Sequence, residues 1–171
     1  KSISFWSFPE GMSIEDRMEM AKRFGYEAIE LTVEAEGEIT PDSTPEDMEK
    51  FVQMADDIGL KLPTMATGLG WEYPAIGPDP EVCEKGIEII RTSLKLTAAL
   101  GAETFLVVPG TVTADYAYDE AYDDCVEVFS ELAADAEEAG VYIGLEYVWN
   151  KFLLSPLEFA GIIDEIGEEY V

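Results

Sequence analysis

The sequence contains no histidine, and that absence closes several chemistries at once. Without imidazole the chain can build neither a Ser–His triad nor a histidine general base, and it can offer no histidine ligand to a metal. Positive charge is nearly as scarce: 10 Lys and Arg stand against 37 Asp and Glu, for a formal net charge of −27. Nucleic acid and anionic membrane faces require a basic patch that neutralises phosphates, so neither is expected as a partner. No run approaches the roughly 18 apolar residues of a membrane span. The opening residues lack the basic, apolar and small-residue segments of a secretory leader, and a cytoplasmic location is expected. Cys83 and Cys125 stand alone in helix-like segments, without the spacing of a CxxC or a zinc knuckle. They read as two small buried thiols of a cytoplasmic protein, with a disulfide as the alternative.

Apolar residues, by contrast, are plentiful: at 47% of 171 positions they are too many for a disordered tail and enough for a core. The length suggests one domain or part of a larger one. The acid excess is spread along the chain, as in the stretch from Glu34 to Glu38 and again from Tyr118 to Asp124. Such runs are ordinarily solvated helix faces. Distributed this evenly, they also suit a high-salt cytoplasm, where counterions screen self-repulsion. Low stability in dilute buffer with recovery in molar salt is the signature of that reading, and indifference to salt removes it.

One grammar repeats along the chain: an apolar run, a polar loop, a helix-start signal, an amphipathic stretch and a glycine. The first run is Ile3-Ser4-Phe5-Trp6, followed by Ser13 with Asp16 three residues on, then Ile14, Met18, Ala21 and Phe24 at helical spacing, then Gly25. The second is Ala28-Ile29-Glu30-Leu31. Thr44-Pro45 restarts a helix whose stripe is Met48, Phe51, Val52, Ala55 and Ile58, closed by Gly59. The third run, Leu60 to Met65, leads through a long loop to Asp79-Pro80 and a helix ending near Gly101. Thr104 to Val108 is apolar enough for a strand covered on both faces. A helix from about Asp119 to Ala139 follows, ended by Gly140. The fifth run, Val141 to Glu146, precedes a capping box at Ser155-Pro156-Leu157-Glu158 and the stripe Phe159, Ile162, Ile163 and Ile166. Tyr170-Val171 look like the start of a sixth strand.

Strict strand–helix alternation implies a parallel sheet with right-handed crossovers. The competing architectures are a doubly wound sheet and part of an eight-unit (β/α) barrel. The turn after the first run, Trp6 to Gly11, has neither GxGxxG nor GxxxxGK[ST], which weighs against a doubly wound nucleotide binder. Polar and aromatic residues gather just after each run, at Trp6, Glu30, Thr67 to Tyr73, Pro109-Gly110-Thr111 and Glu146. That is the rim where (β/α) barrels place their sites. The expected fold is therefore an α/β partial barrel of TIM type with five β/α units, a single domain over residues 1–171. Five strands cannot close such a cylinder, so the chain is expected to be a piece of a longer polypeptide or a half-barrel completed by other chains or copies.

Glu146 ends a buried apolar run, and a carboxylate there needs a pairing partner, hydrogen bonds or a metal. Mg2+ and Mn2+ take oxygen ligands of this kind, while a salt bridge to Lys151 is the alternative. Glu30 has the same placement, and its alternative is a structural hydrogen bond to loop backbone. The loop Thr67 to Pro74 carries Trp71 and Tyr73. With Trp6 and Phe8 it walls a sugar-sized pocket or else plugs the barrel top.

The segments SFWSFPEGMSIEDRMEMAKRFGYEAIEL, MATGLGWEYP, DPEVCEKGIEI, LGAETFLVVPG and IGLEYVWNKFLLSPLEF together resemble the sugar phosphate isomerase/epimerase family with the xylose-isomerase-like TIM barrel. The resemblance runs along the whole chain and covers the first five of that fold's eight units. It implies that Glu146 is a divalent-metal ligand and a proton-transfer group, and that Trp6, Glu30, Trp71 and Asn150 line the substrate pocket. The family's other ligands, an Asp, a His and an acid after the sixth to eighth strands, have no counterpart here. Some epimerases carry a second Glu about six residues on; here that neighbourhood is Lys151-Phe152-Leu153, a departure that bears on how substrate is handled. The resemblance thus implies a parent enzyme that isomerises or epimerises a small keto-sugar or its phosphate with Mn2+ or Mg2+, through an enediolate. One ligand of four does not hold a catalytic metal, so this chain by itself is expected to bind none. The alternative is a non-catalytic half-barrel assembly module. An abasic-DNA endonuclease, which shares the barrel, is opposed by the charge.

Overall fold

In the computed structural model, which describes residues 1–171, strands and helices alternate throughout. The strands are β1 (Ser2–Ser4), β2 (Ala28–Val33), β3 (Thr64–Thr67), β4 (Thr104–Val107) and β5 (Tyr142–Leu145). Each is followed by its helix: α1 (Ile14–Arg23), α2 (Pro45–Ile58), α3 (Pro80–Ala99), α4 (Tyr118–Ala139) and α5 (Pro156–Ile166). Every pairing is parallel, and the sheet order follows the chain, β1-β2-β3-β4-β5. A doubly wound sheet reverses its strand order at a switch point, and this one does not. The fold is an open arc of five β/α units of a TIM-type barrel.

Helices begin where side chains can satisfy their first N–H groups. Ser13 Oγ accepts from Asp16 N at 3.1 Å, Asp79 Oδ1 from Glu81 N at 3.1 Å, and Ser155 Oγ from Glu158 N at 3.2 Å. Thr44 and Asp47 form a reciprocal capping box, with bonds of 3.4 and 2.8 Å. Gly59 and Gly140 take the left-handed conformation that ends α2 and α4, at φ 78° and 67°. Boundaries shift in three places. Phe5–Ser7 turn into a 3-10 helix, so β1 stops at Ser4, and the run from Leu60 becomes strand only at Thr64. Phe24, expected in the α1 stripe, lies one residue past the helix and is 68% exposed.

Strand pleating sends successive side chains to opposite faces. Ile29, Leu31, Val33, Met65, Phe105, Val107, Ile143 and Leu145 face the helices, and none is more than 9% exposed. Thr97 of α3 reaches this face, its hydroxyl donating to Ser93 C=O at 2.7 Å and lying 3.3 Å from Met65 Sδ. Glu30, Thr32, Thr64, Ala66, Thr104, Leu106 and Gly144 face the concave side. β4 is therefore not covered on both faces as its composition suggests: Phe105 and Val107 are buried, while Thr104 and Leu106 are half-buried. No strands stand opposite to cover them. At the far edge Ile143 N–H donates to Tyr170 C=O at 2.8 Å, and the Tyr170 ring stacks on Tyr142 at 5.1 Å. Both cysteines are free thiols; Cys125 is buried, and Cys83, in the first turn of α3, is half-buried. Burial pushes the Cys125 thiol up to about 12, so it stays protonated. No helix is long and apolar enough to cross a membrane.

Candidate functional site

The C-terminal ends of the strands carry the polar side chains. Glu146 directly follows β5, and its N–H donates to Val107 C=O at 2.7 Å, which carries the strand register one residue further. Its side chain continues the concave face of Gly144. The carboxylate makes no hydrogen bond or ion pair within the chain. Burial first, and then the negative charge of Glu30, raise its pKa above the usual carboxylate value. The alternative salt bridge to Lys151 does not form. The ion pairs of the chain join the N-terminal ammonium to Glu27 and Arg91 to Asp135. Lys151 is exposed, with φ 57°.

Glu30 projects from β2 onto the same face, where its Oε2 accepts from Thr64 Oγ1 at 2.7 Å. A side chain of the adjacent strand, not loop backbone, holds it. Asn150 lies deeper than expected of a pocket wall, at 1% exposure. Its amide donates to Gly110 C=O at 3.0 Å, its Oδ1 accepts from Val148 N–H at 3.3 Å, and its carbonyl accepts from Val112 N–H at 3.2 Å. It is a strut joining the loops after β4 and β5. Gly110 also packs tightly against the loop after β3, where a Cβ would meet Ile76 O at 2.4 Å. Beyond the strut, Lys151 and Leu153 both hold left-handed backbone, at φ 57° and 56°. Such conformations cost roughly 1–3 kcal/mol each, and the burial of Phe152 and Leu153 offsets them.

The aromatic residues divide into two groups. Trp6, 50% exposed, donates its indole N–H to Glu34 Oε1 at 3.1 Å and joins Phe8 along a cavity of about 760 Å³. Trp71 lies in a different wall. Its ring stacks on Trp149 with centroids 5.5 Å apart and planes 2° from parallel, and both rings remain open to solvent. The structure thus brings Glu30 and Glu146 together on one face. It sets Trp6 and Trp71 in separate walls of the rim and places Asn150 beneath it. Pattern reading passes over Thr64, Glu34 and Trp149. Extending the period of two from Glu30 through Thr32 finds Glu34. Thr64 becomes visible only with the β2–β3 register, and Trp149 only with its stacking partner.

Glu146 suits one ligand position of a hard divalent cation: an oxygen donor, directed into the open face, with no competing partner. One position is not a site. Nowhere do three Asp, Glu or Cys side chains converge on a point where an ion could sit.

A family model described as a xylose isomerase-like TIM barrel matches residues 18–171. Among solved structures, D-psicose 3-epimerase in the presence of D-fructose superimposes with a TM-score of 0.81 at 18% identity, over 99% of this chain and 61% of that one. The apo form of 3-keto-D-glucoside 4-epimerase from E. coli gives 0.75 at 18% identity, over 100% and 65%. The IolI protein with a bound zinc atom gives 0.75 at 18% identity, over 99% and 60%. This chain spans about three fifths of the length of those structures. Identities this low establish a common fold. No curated protein matches the chain. The match along nearly the whole length, together with the parallel arc and its acidic concave rim, makes this chain a member of the xylose isomerase-like TIM barrel family.

Proposed function

We propose that the chain forms the first five units of a divalent-metal-dependent isomerase or epimerase acting on a small keto-sugar or sugar phosphate. The observation that carries this reading is Glu146: a partly buried carboxylate at the concave end of β5, with no partner of its own, in a fold shared with sugar epimerases. A Mn2+ or Mg2+ ion, when bound, polarises a carbonyl and its neighbouring hydroxyl. Glu146 would be one of its ligands, and the others would come from outside these residues.

The reaction removes the proton from the carbon beside the carbonyl, leaving an enediolate, and returns a proton to the other face or the neighbouring carbon. Glu146, a ligand in this reading, would also present a carboxylate oxygen on the concave face to take that proton. Glu30, held by Thr64 through one oxygen, has its other oxygen free to accept a substrate hydroxyl. Trp6 and Trp71 offer ring faces to the C–H surface of a sugar. Asn150 acts from below, fixing the loop that carries Glu146. In the longer enzyme Glu146→Gln is expected to lower metal-dependent turnover by about 10²–10⁴-fold; an unchanged rate removes Glu146 from this role.

A second reading, a non-catalytic half-barrel that assembles with other chains or copies, draws support from the lack of three converging ligands and from the open edges of the sheet. Mn2+ titration in the presence of a ketose separates the two. Metal affinity that appears only with further β/α units supports the enzyme, and oligomers without metal affinity support the module.

A further inference from the structure

The helices at the two sides of the arc end differently. The last turn of α1 carries Lys22 and Arg23, and Lys22 Nζ donates to Gly59 C=O at 2.6 Å where α2 ends. Cations placed there complement the negative end of a helix dipole. The last turns of α4 and α5 have no base. They carry Glu137 and Glu138, and Asp164 and Glu165, with Glu168 and Glu169 following α5. Beyond Lys95 the only base in the chain is Lys151, in the loop after β5. Asp135 is paired with Arg91, and Glu165 accepts from Tyr122 Oη at 2.9 Å. Glu137, Glu168 and Glu169 are exposed and have no ion-pair partner.

These three meet. Glu137 from α4 and Glu168 and Glu169 from the segment after α5 line one cleft of about 290 Å³, together with Ala133, Ala134 and Tyr170. No base lines it, and the acids stand too far apart to chelate an ion. The same short segment covers the outer edge of β5. Tyr170 C=O accepts from Ile143 N–H at 2.8 Å, its ring stacks on Tyr142, and Tyr170 and Val171 pack against the core. Apolar contact and a hydrogen bond therefore draw the segment in, while like charges push it away from α4. The attraction acts at contact and the repulsion through solvent, so dissolved salt weakens mainly the second. The screening length falls from about 30 Å at 0.01 M salt to about 3 Å at 1 M.

We propose that residues 168–171 form a salt-controlled strap on the edge of β5, seated when counterions screen Glu137, Glu168 and Glu169 and released when they do not. β5 leads into Glu146, so ionic strength governs the strand that presents this carboxylate, whatever the carboxylate binds. The reporter is hydrogen exchange at the Ile143 amide, whose partner is Tyr170 C=O, followed by NMR. The reference is the Ile29 amide, which donates to Lys61 C=O at 3.0 Å at the other side of the arc. Relative to Ile29, exchange at Ile143 is expected to be roughly fivefold faster in about 0.01 M KCl than in about 1 M. Protection at Ile29 shows in every sample that the sheet is formed.

Glu137→Gln/Glu168→Gln should remove most of this salt dependence. Glu84→Gln/Glu88→Gln on α3, the same change of net charge at a distance, should keep it. Glu137→Lys sets a base against Glu168 and Glu169 at the end of α4, where a cation also suits the dipole. It should reverse the sign, with Ile143 best protected at low salt. Each of four results overturns the proposal. Ile143 may show no salt dependence beyond that of Ile29, which would mean that net charge acts on the whole sheet alike. The distant pair may respond as the near pair does, or Glu137→Lys may respond to salt as the parent does, and either places the repulsion elsewhere. Micromolar Mg2+ may restore protection at low salt, which would mean a chelated ion instead of screening.

Discussion

On the helix-facing side of the sheet, Ile29, Leu31, Val33, Met65 and Phe105 are 0% exposed. One residue along in each strand, Glu30, Thr64 and Thr104 are half-buried, polar and open to the concave side. The first set binds the helices to the sheet by removing apolar surface from water, at about 25 cal/mol per Å². The second set contributes little of that kind and holds the groups that can meet a ligand. Stability and chemistry are thus assigned to alternate residues of the same strands. The widest test is a pair of truncations on β4. Phe105→Ala, on the helix side, is expected to cost about 3–5 kcal/mol, a large share of a domain's usual margin of about 5–15 kcal/mol. Leu106→Ala, on the concave side, should cost about 1 kcal/mol, since half the surface it loses already faces water. Urea midpoints read both values, and equal losses would mean that the concave face is packed like the core.

The same division explains what could be read in advance. Helix starts at Ser13, Thr44, Asp79 and Ser155 and helix ends at Gly59 and Gly140 are local events, decided within a turn of chain, and the sequence marks them. Alternation of strands and helices is equally local and leads to the parallel arc. The rim depends on residues far apart in sequence. The bond from Trp6 to Glu34 spans 28 residues, and the stack of Trp71 on Trp149 joins loops after β3 and β5. Asn150 shows the limit most clearly. The family resemblance implies a pocket wall, yet its amide donates to Gly110 C=O within the junction between two loops. Only packing decides which way such a side chain turns.

A smaller effect is expected from the concave face itself. Thr64→Val preserves shape and removes the hydroxyl that donates to Glu30 at 2.7 Å. A hydrogen bond to a charged group contributes about 1.5–3 kcal/mol when sheltered. This one is half-open, so water replaces part of it and a loss of about 1 kcal/mol is expected. A double-mutant cycle with Glu30→Gln isolates the contribution of the pair. Additive losses would show that the bond does not hold Glu30 in place, and the contrast between the faces would then rest on apolar burial alone.

The finest test lies in the pH dependence of stability. Glu146 is less willing to ionise when folded than when unfolded, because burial and the charge of Glu30 both penalise its carboxylate. An unfolded glutamate titrates near pH ~4.3. Between that pH and the raised folded value, the folded chain holds a proton that the unfolded chain has released. Stability must therefore fall as pH rises through this window, and stay level outside it. Glu146→Gln carries no titrating group and lacks that decline. Unfolding free energies of the two proteins, measured from pH 4 upward and subtracted, should show the parent losing ground as the carboxylate ionises, while contributions from the other acids cancel. In Glu30→Gln the second penalty is gone, so the decline narrows but persists, since burial is the larger cause. A difference curve that is flat, or that rises with pH, would mean that the Glu146 carboxylate is stabilised in the folded chain rather than strained by it.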